Sequence, residues 1–125
     1  MQRILAAILA AAMGANGLAM LLAGAWWYGQ VPGVTGTGPY NPHFVQDIGI
    51  SYLVAAGGFA WFGLRPAAGY AAAVAGAAFL IAHALLHLTG SLGGHHPGTE
   101  LMRDLAGVYL PPLLAAIAVI PSRRP

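Results

Sequence analysis

Apolar positions dominate four stretches of the chain, and polar residues gather in the intervals between them. A helix that spans a bilayer needs about 20 mostly apolar residues at roughly 1.5 Å of rise each. The pattern predicts such helices over about Ile4–Tyr28, His43–Leu64, Ala67–Leu88 and Glu100–Ile120. The first stretch starts like a secretory signal, with Arg3 ahead of an Ala-rich core. Its apolar run continues through Trp26-Trp27-Tyr28, so a retained helix is expected. Gly29–Pro42, rich in Gly, Pro and Thr, reads as a structured, turn-rich loop, and Arg65-Pro66 alone joins the second and third helices as a tight hairpin. Thr89–Thr99, which holds Gly-Gly-His-His-Pro-Gly, reads as a second loop. Short connections force neighbouring helices antiparallel, so the expected fold is all-α, a single integral membrane domain over 1–125 built as an up-down-up-down four-helix bundle.

Composition agrees with this pattern. Only 6% of the 125 residues are charged, against about 25% in an average soluble domain. Together with a mean hydropathy of +0.71, this excludes disorder, a basic nucleic-acid-binding domain and an ordinary soluble enzyme. No cysteine is present, which removes disulfides, thiolate metal sites, iron–sulfur clusters and a cysteine nucleophile. All five basic residues are arginines, and Arg3, Arg65, Arg123 and Arg124 fall on one side of a four-span topology, with Arg103 near the other. The excess of positive charge marks the cytoplasmic side, so both termini are expected inside. Ala10/Gly14, Gly49, Gly57-Gly58, Gly69 and Ala72/Gly76 offer faces for close helix approach. Pro111-Pro112 is expected to kink the fourth helix or interrupt its hydrogen bonding.

The remaining ionisable residues collect in the outer half: His43, Asp47, His83, His87, His95, His96, Glu100, Arg103 and Asp104. Three helices each carry an i,i+4 pair of ligand-type residues, His43/Asp47, His83/His87 and Glu100/Asp104, and residues four apart share a helix face. Counted from Arg65 and Arg123, Asp47, His83 and Asp104 lie at roughly 27–28 Å, and His43, His87 and Glu100 at roughly 33–35 Å. Two layers one helical turn apart are therefore predicted, with Met20 and Asn16 of the first helix closing the lower one.

Ionisable groups at the edge of hydrocarbon are costly and mark a candidate site, and histidine with carboxylate on facing bundle helices is metal-binding chemistry. Nitrogen and oxygen donors without thiolate suit Zn, Cu or Fe, and haem ranks lower because six polar side chains leave it little room. The expected metal residues are His43, Asp47, His83, His87, Glu100 and Asp104, with Arg103 or Asn41 orienting the carboxylates and the Gly29–Pro42 loop as a lid. On this reading Asp47→Ala and His83→Ala each abolish metal retention, whereas His95 and His96 are exposed and dispensable. A hydrogen-bonded polar plug is the alternative use of the same residues. Glu100 also suits a helix N-terminus, and Arg103 suits a structural bridge to Asp104 or Asp47.

The string Asn41-Pro42-His43-Phe44-Val45-Gln46-Asp47-Ile48-Gly49, with the preceding Trp26-Trp27-Tyr28 and Val31–Tyr40 segment and the His83-x-x-x-His87 helix, resembles a group of small four-span bacterial membrane proteins without an established activity. The resemblance implies the topology, a bacterial cytoplasmic membrane, and attention to His43, Asp47, His83, His87, Arg103 and Asp104. Three functions stay open at this point. The first is a membrane metalloprotein with an outward-facing site. The second is a non-catalytic subunit of a homo-oligomer or larger membrane complex. The third is proton or substrate transfer, against which stands an inner half offering Asn16, Ser51 and Tyr52 as its few polar groups.

Overall fold

The computed structural model of the chain describes residues 1–93 and 97–121. Among these there is no strand. Helix α1 (Gln2–Leu22) leads into a short α2 (Gly24–Gln30), and a loop with one 3-10 turn at Val34–Thr37 then reaches α3 (Pro42–Leu64). Next come α4 (Pro66–Gly93), α5 (Pro97–Asp104), a π-helical turn (Leu105–Tyr109) and α6 (Leu110–Val119). Four segments are long and apolar enough to cross a membrane: Gln2–Leu22, Pro42–Leu64, Pro66–Gly93 and Gly98–Val119. Helix α1 packs on α3, α3 on α4 and α4 on α6, and α6 closes back on α1. The chain is an integral membrane protein with an up-down-up-down four-helix bundle.

Local sequence explains most boundaries. At the start of α3 the Asn41 side chain accepts from the Phe44 N–H at 3.2 Å, and Pro42 occupies the first turn, where its missing donor costs nothing. Arg65 is the whole connection between α3 and α4, its N–H bonded to Trp61 O and its own carbonyl accepting from Gly69 N–H. Helix α4 runs past the expected Leu88 to Gly93, with the Thr89 hydroxyl turned back on Leu86 O at 2.9 Å and Ser91 buried. The predicted Thr89–Thr99 loop is thus largely helical, and residues 94–96, with His95 and His96, lie outside the described residues, as do Arg123 and Arg124.

Two expected helices are interrupted. The first, expected to run on to Tyr28, breaks at Ala23, where φ is −136° and ψ 40°. The bend lets Trp27 Nε1 donate to Asn16 Oδ1 at 2.9 Å. Those two residues stand roughly 16 Å apart along a straight helix. Asn16 in turn donates to Met20 Sδ at 3.6 Å, so the pair assigned to a lower site layer serves to hold this bend. The fourth span widens at Leu105–Tyr109, where Leu110 N–H bonds to Leu105 O across five residues. Pro111 and Pro112 lack N–H groups and begin α6, so the turn before them adopts the wider spacing.

The core is built from small residues and a few large ones. Phe59, Leu9, Met20 and Leu80 are almost fully buried among Ala6, Ala55, Ala73, Ala77, Ala115 and Ala118. A Cβ placed on Gly17 meets Gly49 O at 2.7 Å, and one on Gly58 meets Ala72 O at 2.6 Å, so the backbones nearly touch. Such approach is how helices gain van der Waals contact where lipid already satisfies apolar side chains. The outer surface is apolar in turn: Ile4, Leu22, Val54, Trp61, Leu86 and Leu113 are all exposed, as a lipid-facing surface requires.

Candidate functional site

Phe79, His83 and His87 follow one another at i,i+4 along α4 and therefore share one face. The His83 and His87 ring centroids are 4.7 Å apart. Phe79, one turn earlier on α4, stacks on His83 at 6.1 Å, and Tyr52 of α3 meets the same imidazole edge-on at 5.9 Å. His83 is thereby fixed by aromatic packing and half-buried.

Asp104, the last residue of α5, is 5% exposed and receives three bonds. Arg103 Nε donates to its Oδ1 at 2.7 Å and Arg103 Nη2 to its Oδ2 at 3.1 Å. His87 Nδ1 approaches Oδ2 at 2.9 Å. A carboxylate held by a guanidinium is an acceptor, so the proton in the third contact belongs to His87 Nδ1. In the neutral tautomer that assignment puts the lone pair of His87 on Nε2. The Arg103 guanidinium balances the charge of Asp104, which suits a position at a membrane edge.

Asp104 was expected level with His83, yet it bonds to His87. Side chains lean toward the N-terminus of their own helix. On antiparallel helices they lean in opposite directions, so Asp104 reaches toward the end where α4 finishes and His87 reaches back to meet it. Counting Cα positions alone misses this by one turn.

The other expected ligands are not gathered with these. Val45, Gly49 and Tyr52 form the buried face of α3. His43 and Asp47 stand on its other side as a pair 3.6 Å apart, their side chains 87% and 57% exposed. Glu100 lies in the first turn of α5, half-buried, where its charge suits the helix N-terminus. Among the described residues no three of His, Cys, Asp and Glu come together as a metal-holding group. Of the six residues, the structure brings together His83, His87 and Asp104, with Arg103 as the cation that orients the carboxylate.

The loop between α2 and α3 reaches this cluster. Tyr28 donates from its hydroxyl to Gly38 O, Thr37 Oγ1 donates to Val34 O at 2.7 Å, and Tyr28 and Tyr40 pack with centroids 5.4 Å apart. Gly33 has φ of 85°, and a Cβ there would lie 2.5 Å from Arg103 Cζ and 2.6 Å from its Nε. The guanidinium occupies the space that a side chain would need. Gly33→Ala is therefore expected to lower stability by about 1–2 kcal/mol for the left-handed backbone alone and to push Arg103 off Asp104. Gly36→Ala, at a position with nothing within 4 Å, is the control and should stay within about 0.5 kcal/mol of the parent in thermal unfolding. Equal effects of the two would show that the loop does not clamp Arg103.

Sequence reading missed the loop contact at Gly33 and the position of Tyr109, whose hydroxyl is buried without a hydrogen-bond partner. A Gly between Pro32 and Val34 signals a turn but not what the turn covers. Comparison with protein-family models, curated proteins and solved structures finds nothing that matches this chain.

Proposed function

We propose that the protein binds a transition-metal ion, zinc, copper or iron, through the imidazoles of His83 and His87. The observation that carries this reading is the 2.9 Å contact between His87 Nδ1 and the buried Asp104 carboxylate beside a second imidazole. Metal-ligating histidines characteristically donate their other ring N–H to a carboxylate, which fixes the tautomer and raises ligand basicity. Two histidines at i,i+4 on one helix face are a recurrent ligand pair. Asp104 thus holds a ligand and is not one itself. Two protein donors leave further coordination positions for water or an exogenous molecule.

Arg3 donates to Gly63 O at 2.8 Å, and so lies with Arg65 at the bundle end opposite Asp104. By the distribution of positive charge we place that end in the cytoplasm of a bacterial cell and the histidine cluster toward the outer face of the cytoplasmic membrane. Elemental analysis of the detergent-purified protein tests the metal. Supplementation with Zn, Cu or Fe is expected to give about one retained ion per chain. His83→Ala and His87→Ala should each abolish retention, while His43→Ala and Asp47→Ala, on the outward side of α3, should preserve it. A ratio near zero in the parent protein with every metal would end this reading.

A second reading, a subunit of a homo-oligomer or larger membrane complex, is favoured by one observation. The exposed His43/Asp47 pair faces away from the bundle on a spanning helix. Ionisable groups in such positions are usually covered by protein. Purification as a lone monomer in mild detergent would count against it.

A further inference from the structure

Asp47 and Asp104 lie at the same end of the bundle, opposite Arg65, yet the fold treats them differently. Asp104 is buried and bonded to Arg103 and His87, whereas the Asp47 side chain is exposed on the side of α3 away from its core face. Along α3 it stands roughly 27 Å from Arg65, within the roughly 30 Å of a bilayer's hydrocarbon. His43, one turn earlier on the same face, does not satisfy it. Its Nε2 is 3.6 Å from Asp47 Oδ2, close enough to attract but too far for a hydrogen bond. Ionisable side chains on spanning helices almost always meet protein or enclosed water and not lipid.

The chemistry of the pair indicates what covers it. An imidazole supplies a donor and a carboxylate an acceptor, one turn apart on one face, so the surface is complementary to itself. Two copies inserted in the same orientation are related by a two-fold axis along the bilayer normal. Such an interface sets one patch against itself, residue i meeting residue j and j meeting i. The two α3 helices then run side by side at matching depth, and each imidazole comes within reach of the other copy's carboxylate. Below the pair the same face continues with Ile50 and Val54, both exposed, at the alternating spacings of three and four along which parallel helices pack. An unrelated partner would need its own donor and acceptor at these depths, whereas a second copy brings both.

We infer that the face of α3 opposite the core is a two-fold interface with a second copy of this chain, His43 donating to the partner's Asp47 and Asp47 accepting from the partner's His43, with Ile50 and Val54 packed below. This rests on the subunit reading above and names its partner and its contact.

The chain has no cysteine, so single cysteines introduced into the full-length protein report neighbours directly. On mild oxidation of membranes that hold the protein, Ile50→Cys and Val54→Cys are expected to form covalent dimers. Ile81→Cys on α4 and Leu110→Cys on α6, also exposed, should remain uncoupled. With Ile50→Cys as reporter, His43→Ala and Asp47→Ala should each weaken dimerisation about five- to tenfold, the worth of two interhelical hydrogen bonds. Differently tagged His43→Ala and Asp47→Ala chains, mixed together, regain one of the two contacts, so the mixed dimer should exceed its statistical share. Mixed dimers at the statistical share would overturn the reciprocal contact. Coupling at Ile81 or Leu110 but at neither Ile50 nor Val54 would overturn the inference and leave the oligomer reading standing. A different protein coupled stoichiometrically at Ile50 would overturn it in favour of a larger complex. No coupling at any of the four positions, with the protein a lone monomer, would remove both readings together.

Discussion

Asp104→Ala is expected to lower stability by about 3 kcal/mol and, on the proposed metal-binding reading, to weaken ion retention by about 10- to 100-fold. The carboxylate is 5% exposed and is the shared acceptor for Arg103 and His87. Removing it leaves a guanidinium and a ring N–H at the membrane edge without partners, and an uncompensated charge costs more than a lost contact. Asp104→Asn separates the two effects. An amide still accepts from Arg103 through its oxygen, but it then turns an NH2 group toward His87. His87 must answer by moving its proton to Nε2, which blocks the lone pair offered to the ion. Asp104→Asn is thus expected to fold with a smaller loss of stability yet bind metal as poorly as Asp104→Ala. Thermal unfolding in detergent and competition with a chelator read the two quantities. Metal affinity in Asp104→Asn within twofold of the parent would show that the carboxylate does not set the His87 tautomer.

The bundle was legible because its signals are local. Four apolar stretches and the bare Arg65-Pro66 hairpin each stand within a few residues, and the structure has four spanning segments and that hairpin; the cap at Asn41, expected instead to orient carboxylates, was not read. The shared face of His83 and His87 follows from spacing in the same way. Which way a spanning helix faces is harder to read, because such a helix is apolar all round. For α3 the polar pair His43/Asp47 suggested an inward face, but the backbone contact at Gly49 and the ring of Tyr52 decide the buried side, and Asp47 is opposite. The run Gly49, Tyr52, Ala56 and Phe59 at helical spacing carried that signal. Partners distant in sequence left none. Nothing near Gly33 announces Arg103, and nothing near Asn16 announces Trp27. The π-turn that sets Tyr109 was visible only as the proline pair that follows it.

Close backbone approach at the hairpin gives the sharpest contrast between neighbouring residues. Gly57 and Gly58 are adjacent on α3, yet a Cβ on Gly58 falls 2.6 Å from Ala72 O and 3.0 Å from Ala72 C, while one on Gly57 finds nothing within 4 Å. Across the same interface, a Cβ on Gly69 runs into Phe62 N and lies 2.6 Å from Phe62 Cα. These obstacles are backbone atoms of the facing helix, so no rotamer change relieves them. The connection offers no slack either, because Arg65 alone separates α3 from α4. A single methyl must therefore pry the two helices apart along the crossing and expose the contacts around Phe59 and Phe62. Gly58→Ala and Gly69→Ala are each expected to cost about 3 kcal/mol or more, at the upper end of overpacking effects. Gly57→Ala faces lipid and removes a flexible residue from a helix interior, so it should be neutral or stabilising by about 0.5 kcal/mol. Thermal unfolding of the three variants in one detergent orders them directly. Gly58→Ala melting with Gly57→Ala would mean that α3 and α4 are not held by backbone contact. Because Tyr52 of α3 packs against His83 of α4, both destabilised variants should also lose metal if the proposed metal binding at His83 and His87 holds.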